Sequence, residues 1–215
     1  MPALTFAVED VTVTPFAAAP TLGFQIQITN AGREAIHTVA LRCQILIEPT
    51  RRQYTAEDRE HLLDLFGEVS RWGQTLRPML WTHANVVVPS FQGSTTCELP
   101  VPCTFDFNVG ATKYFYGLED GAVPVCLQFS GTVFYENENG VLQAAPIAWD
   151  RDARFDLPVK IWKKMMDSYY RDSAWLHLRR DVFDRLHRYK VQNMIPTWEE
   201  TLERISLAVP EAAHR

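Results

Sequence analysis

Long apolar runs are missing from this chain. No window of about 18 residues is both uncharged and apolar, so the sequence offers no membrane-spanning helix. A basic leader is missing too. The start, MPALTFAVEDV, meets Glu9 and Asp10 at once, unlike a secretory signal. There is no excess of positive charge: 21 Lys and Arg stand against 26 Asp and Glu, a net charge of -5. That excludes a generally basic nucleic-acid surface. Cysteine is scarce, with only Cys43, Cys97, Cys103 and Cys126. Without a leader a reducing compartment is the default, so a cytoplasmic location and free thiols are expected.

Signatures of catalysis are also missing. The ten glycines are scattered singly and never form a phosphate cradle. No nucleophile elbow, phosphate loop, dinucleotide fingerprint or zinc-protease helix occurs. The histidines are His37, His61, His83, His177, His187 and His214, and no two are four apart on an expected helix. His177 and His187 lie nearly three helical turns apart, too far for one metal. The closest cysteines, Cys97 and Cys103, flank Pro100 and Pro102 at a spacing wider than a short zinc-binding loop. No cofactor and no metal are therefore expected.

What is present is a globular composition. Of 215 residues, 47% are hydrophobic, enough for one large domain or a domain with an appendage. The first two-thirds alternates apolar and polar residues. Leu22, Phe24, Ile26 and Ile28 share one face, and Asn30 to Gly32 supply a turn. Val39, Leu41, Cys43, Ile45 and Ile47 share another face, with Arg42, Gln44 and Glu48 outward. The two runs read as a hairpin. Further strands are expected at Phe6 to Val13, Leu80 to Val88, Thr95 to Phe107, Val123 to Tyr135 and Val141 to Trp149. Pro100 and Pro102 confine their strand to a sheet edge or split it at a bend. The predicted core includes Phe24, Ile26, Leu41, Ile45, Leu127, Phe129 and Val133.

Helical signals interrupt and then follow the strands. Thr55, with Asp58 three residues on, caps an insertion that Gly67 stops, with Leu62, Leu63, Leu65 and Phe66 as its apolar face. Thr112 to Leu118 reads as one short turn of helix. Near Asp150 the period changes. Pro158 suits the first turn of a helix with Val159, Trp162, Met165, Met166 and Tyr169 as its stripe. Asp172 or Ser173 is read as the cap of a second helix carrying Leu178, Val182, Leu186 and Tyr189. Thr197 and Glu200 form a capping box for a third, with Leu202, Ile205 and Leu207. The end, Pro210 to Arg215, is expected to fray. The expected fold is mainly β with α: a β-sandwich of about seven or eight antiparallel strands over 4–150, with a helical insertion near 55–66. A helical C-terminal segment of about three helices over 155–208 is expected to pack on it.

Two features fit contact surfaces. The connection Leu65 to His83 holds Arg71, Trp72 and Arg77, and tryptophan and arginine are enriched at binding hot spots. The alternative is that Trp72 packs the connection onto the sandwich edge. The tail carries Arg179, Arg180, Arg185, Arg188 and Lys190, a basic run in an acidic chain. It reads either as a solvated helix face or as a dock for an acidic partner. Asp181 and Asp184 pair with Arg185 and Arg188 at helical spacing, which argues further against nucleic acid.

The stretches ALRCQILIEPTRRQY, LFGEVSRWGQTLRPMLWTH, FQGSTTCELPVPCTFDF, LEDGAVPVCLQFSGTVFY and LPVKIWKKMMDSYY together resemble a bacterial family known only as a domain of unknown function. The resemblance runs from about Phe6 to Trp198. Members of that family tend to be encoded beside the large and small subunits of actinobacterial-type, high-affinity nickel–iron hydrogenases. The resemblance brings no activity and no residue roles. The neighbourhood it implies, joined to the missing catalytic motifs, leads to the expectation of a non-enzymatic accessory protein acting by protein–protein contacts in hydrogenase assembly, maturation or support, with a hydrogenase subunit or maturation factor as partner. The alternatives are a metal-handling protein using Cys97 and Cys103, and an enzyme whose site is assembled across the sandwich. Shared parity of the two cysteines with Leu99 and Val101 favours core packing over a metal site.

Overall fold

A computed structural model describes residues 2–104, 108–171 and 176–207. Period-two alternation builds two antiparallel sheets. Strands β1 (Leu4–Val13), β2 (Thr21–Asn30) and β5 (Ser94–Pro102) form the smaller, in the order β1-β2-β5. The larger holds β3 (Ile36–Ile47), β4 (Met79–Val88), β6 (Ala122–Glu136), β7 (Leu142–Pro146) and β8 (Asp152–Pro158). Its order is β4-β3-β6, and β8 and β7 pair with the first and second halves of β6. Every pairing is antiparallel.

The two sheets face each other as a sandwich. Phe6 of β1 stacks on Phe129 of β6 with ring centroids 4.4 Å apart. Phe24 of β2 meets Trp81 of β4 and Phe155 of β8 edge-on at 6.3 Å. All seven residues predicted for the core are buried. Burial of such a set is the main favourable term in folding. Pro100 and Pro102 do lie on an edge strand, opposite Gly23 and Thr21. The β3–β6 ladder requires Gly131, whose φ is +131° and where an added Cβ would sit 2.0 Å from Ala40 O.

The insertion folds as α1 (Ala56–His61) and α2 (Leu63–Phe66), followed by α3 (Trp72–Thr75). Thr55 is the N-cap, and its hydroxyl and the Asp58 carboxylate satisfy each other's backbone N–H. Leu62 and Phe66 are buried as expected, but Leu63 is exposed. Gly67, at φ +72°, ends α2. The short helix expected at Thr112 is α4 (Val109–Gly117), capped by Asn108.

Near Asp150 the structure departs from the pattern reading. The expected strand from Val141 ends at Pro146, and Trp149 is exposed. The period of two then resumes in β8, where Leu157 is buried and Ala153 and Phe155 pack against the core. Pro158 closes β8 and precedes α5 (Val159–Tyr169), whose Val159, Trp162, Met165 and Met166 are buried. Trp162 stacks on Phe115 of α4 at 4.8 Å, and Tyr169 Oη donates to Ala17 O. This helix therefore belongs to the first of the two compact units, Met1–Ser173 and Ala174–Arg215.

The second unit holds α6 (Arg180–Gln192) and α7 (Trp198–Leu207). Phe183 of α6 meets Trp198 of α7 at 5.2 Å, and Ile195 between the helices is buried. Leu178 precedes α6 instead of lying in it. Several expectations fall outside the described residues: Phe105 and Phe107 in their strand, Asp172 or Ser173 as a cap, His214, the Leu207 side chain, and Pro210 to Arg215. Among the described residues no helix is long and apolar enough to cross a membrane.

Candidate functional site

The connection between β3 and β4 is held by a buried polar knot. Arg52, 8% exposed, reaches Asp58, 1% exposed, at 3.5 Å. Its guanidinium also donates to Ala122 O and Asp120 O, and Asp58 accepts from the backbone N–H of Glu119. Burial alone would raise the Asp58 carboxyl, but the N–H groups of Glu119 and Thr55 and the Arg52 guanidinium outweigh it. They hold it below the ordinary value. Beside the knot, Tyr54 and Tyr114 share a hydroxyl hydrogen bond of 2.8 Å, and burial pushes both phenols up.

That knot and its aromatic neighbours claim Trp72. The indole is 7% exposed, meets Tyr54 and Phe66 edge-on, and donates from Nε1 to Gly67 O at 2.9 Å. Its ring is thus unavailable to a partner, and it fastens the connection down. Arg71 and Arg77 are exposed.

The basic tail residues behave differently. Arg179 forms a two-pronged bond to Asp181, at 3.1 and 3.0 Å, and Arg185 lies 4.0 Å from the same carboxylate. Arg188 turns its Nε to the backbone carbonyl of Asp184 and not to its carboxylate. Among the described residues, neither Arg180 nor Arg188 has an ion pair, and both are exposed. Lys190 lies over the Trp198 ring at 5.8 Å. Arg179 immediately precedes α6 and Arg180 and Arg188 lie within it, in the second unit, whereas Arg71 and Arg77 belong to the first.

The thiols are built for packing. Cys43, Cys97, Cys103 and Cys126 are all free. Burial pushes Cys43 and Cys103 up to about 12, and Cys97 and Cys126 up to about 11, so they are neutral near pH 7. Cys97 lies within β5 and Cys103 just past its end, with five residues between. An extended chain of that length separates them by roughly 20 Å, too far for one ion. Among the described residues no cluster of three His, Cys, Asp or Glu side chains is arranged to hold a metal.

One surface went unremarked in the sequence. The outward residues of the larger sheet make a groove of about 750 Å³ centred on Arg42, between Asn85 of β4 and Ser130 of β6. Its signal was present: Arg42 and Gln44 are outward positions on a strand whose other face is core.

No curated protein matches the chain. Among solved structures, a β-glucosidase from Kluyveromyces marxianus shares 8% identity over 72% of this chain, with a TM-score of 0.28. β-Glucosidase 3B from Thermotoga neapolitana shares 13% over 72%, with a TM-score of 0.26. The chain spans only 15% and 17% of those two. A late embryogenesis abundant (LEA) protein shares 15% over 74% of this chain and 73% of its own, with a TM-score of 0.33. Likenesses this weak carry no argument. The family model does: it matches residues 1–213, and the chain belongs to DUF6084, a family of unknown function.

Proposed function

We propose that this protein is a non-enzymatic accessory factor that works through protein–protein contacts. Its contact surface is the basic face of α6, and its partner presents an acidic surface. The observation that supports this reading is the pair Arg180 and Arg188, exposed and without ion pairs among the described residues. Arg180 also stands in the first turn of α6, where a cation meets the positive end of the helix dipole. A residue that opposes its own helix fits a task outside the fold. The family resemblance supplies the system: a nickel–iron hydrogenase subunit or one of its maturation factors, acting in a cytoplasmic setting.

The test is direct binding of the purified full chain to purified hydrogenase large and small subunits. The reading expects a complex that Arg180→Glu with Arg188→Glu weakens while leaving the fold intact. A complex indifferent to both reversals would move the contact to Arg71 and Arg77. Failure to bind either subunit would remove the hydrogenase assignment.

A further inference from the structure

Sheet edges are hazards that proteins blunt with charge, proline, bulges or short strands. Among the described residues, four of the five edge strands are blunted. β1 carries Glu9, Asp10 and a register shift between Val8 and Asp10. β5 carries Glu98, Pro100 and Pro102. β7 has five residues and ends in Pro146. β8 carries Asp152, Arg154, Asp156 and Pro158. β4 is the exception. Its ten residues, MLWTHANVVV, hold no Lys, Arg, Asp, Glu or Pro, and among the described residues it pairs only with β3, although β5 of the smaller sheet packs close to it.

The Asn108 side-chain amide donates to both Leu80 O and Trp81 O, at 2.9 and 3.0 Å, beside the register shift that leaves Trp81 unpaired with β3. From Thr82 to Val88, among the described residues, no group from outside the sheet makes such a bond. The outward side chains there are His83, Asn85 and Val87, and Val87 is 71% exposed.

Arg42 adds a charge preference. It lies directly across from Asn85, one strand in from the edge, on the exposed floor of the groove. Its neighbours on that floor are Gln44, His83, Asn85 and Ser130, none of them acidic. Among the described residues Arg42 has no ion pair. A carboxylate on an added strand, opposite Asn85, would lie two strand spacings from Arg42, roughly 10 Å between backbones, within reach of an arginine side chain.

We propose that the free edge of β4 and the Arg42 groove form a strand-addition site for an extended, acidic segment of a partner protein. Main-chain hydrogen bonds supply the attachment, and the Arg42–carboxylate pair supplies register and sign. This surface is independent of α6 and stands or falls without it.

The test uses the full chain, isotope-labelled for NMR. The probe is a synthetic peptide of about eight residues, alternating threonine and valine around one central glutamate. Amide shifts are expected to concentrate in Thr82 to Val88, with the Arg42 side chain also moving. Arg42→Gln in the protein, or glutamine for glutamate in the peptide, should each weaken binding about tenfold. A peptide with proline at alternate positions should not bind, because it cannot donate to the ladder. Shifts centred elsewhere, no shift in β4, or binding indifferent to Arg42→Gln and to proline would each overturn the proposal. Sedimentation of the protein alone decides the other occupant. A dimer whose β4 amides are already protected from exchange would give the edge to a second copy and overturn the partner assignment.

Discussion

Individual side chains divide into those the pattern disclosed and those it could not. Asp58 was legible as a capping residue, because Thr55 and a short polar spacer announce a helix start. Its ion pair with Arg52 was not, since Arg52 is held in place by the Asp120 and Ala122 carbonyls, far along the chain, which nothing in local sequence announces. The pair makes a pH prediction. The folded Asp58 carboxyl sits below its ordinary value, so its contribution is present above the unfolded pKa of about 4 and is lost as acid protonates it. Asp58→Asn should cost about 1.5–3 kcal/mol at neutral pH and flatten the acid limb of stability, as followed by urea unfolding from pH 3 to 7. Gly131→Ala should cost about 1–3 kcal/mol by the same assay, because a Cβ there strikes the Ala40 carbonyl at a φ of +131°. The thiols give a third residue-scale outcome. At pH 8 a thiol reagent should label the native chain far more slowly than the urea-unfolded chain, since burial keeps all four groups neutral.

Elements with one apolar face were readable, and elements with a second signal laid over them were not. β2 and β3 alternate cleanly and appear with their predicted faces. β8 also alternates, through Ala153, Phe155 and Leu157, but Pro158 and the apolar stripe behind it announced a helix and masked the strand. In β4, Trp81 and Thr82 are both buried in succession, beside a shift in the β3 register that simple alternation cannot foresee. Leu178 lies four residues before Val182 and extends the helical spacing backwards, although α6 begins only at Arg180. Trp72 was the most instructive contact candidate. Its residue type suggests an interface, but burial and the bond to Gly67 make it a fastener. Trp72→Ala should therefore cost about 3–5 kcal/mol in denaturant unfolding and loosen the connection in hydrogen exchange. α6 should show the opposite balance. Arg180→Glu replaces a cation with an anion at the positive helix end, so stability should hold or rise by about 0.3–1 kcal/mol.

Across the whole molecule, the sandwich was the part most open to reading, because two-sheet packing follows from many short alternating strands with turn signals between them. The partition of the helices was not. The stripe of α5 completes the core of the first unit, beside Phe115, while α6 and α7 make up a small second unit. That second unit leaves Phe183, Val191, Met194 and Leu202 exposed, a thin apolar content for a piece of its size. Its arginines stand at the surface beside them, and long-range steering by such charges is an effect on association rate that salt screens. The most direct measurement of the account is the association rate of the full chain with a purified nickel–iron hydrogenase subunit, followed as ionic strength is raised. The account predicts association that slows with salt in the natural protein, and slower, nearly salt-independent association after Arg180→Glu with Arg188→Glu at undiminished stability. Association equally fast at every ionic strength, and unchanged by the double reversal, would contradict it.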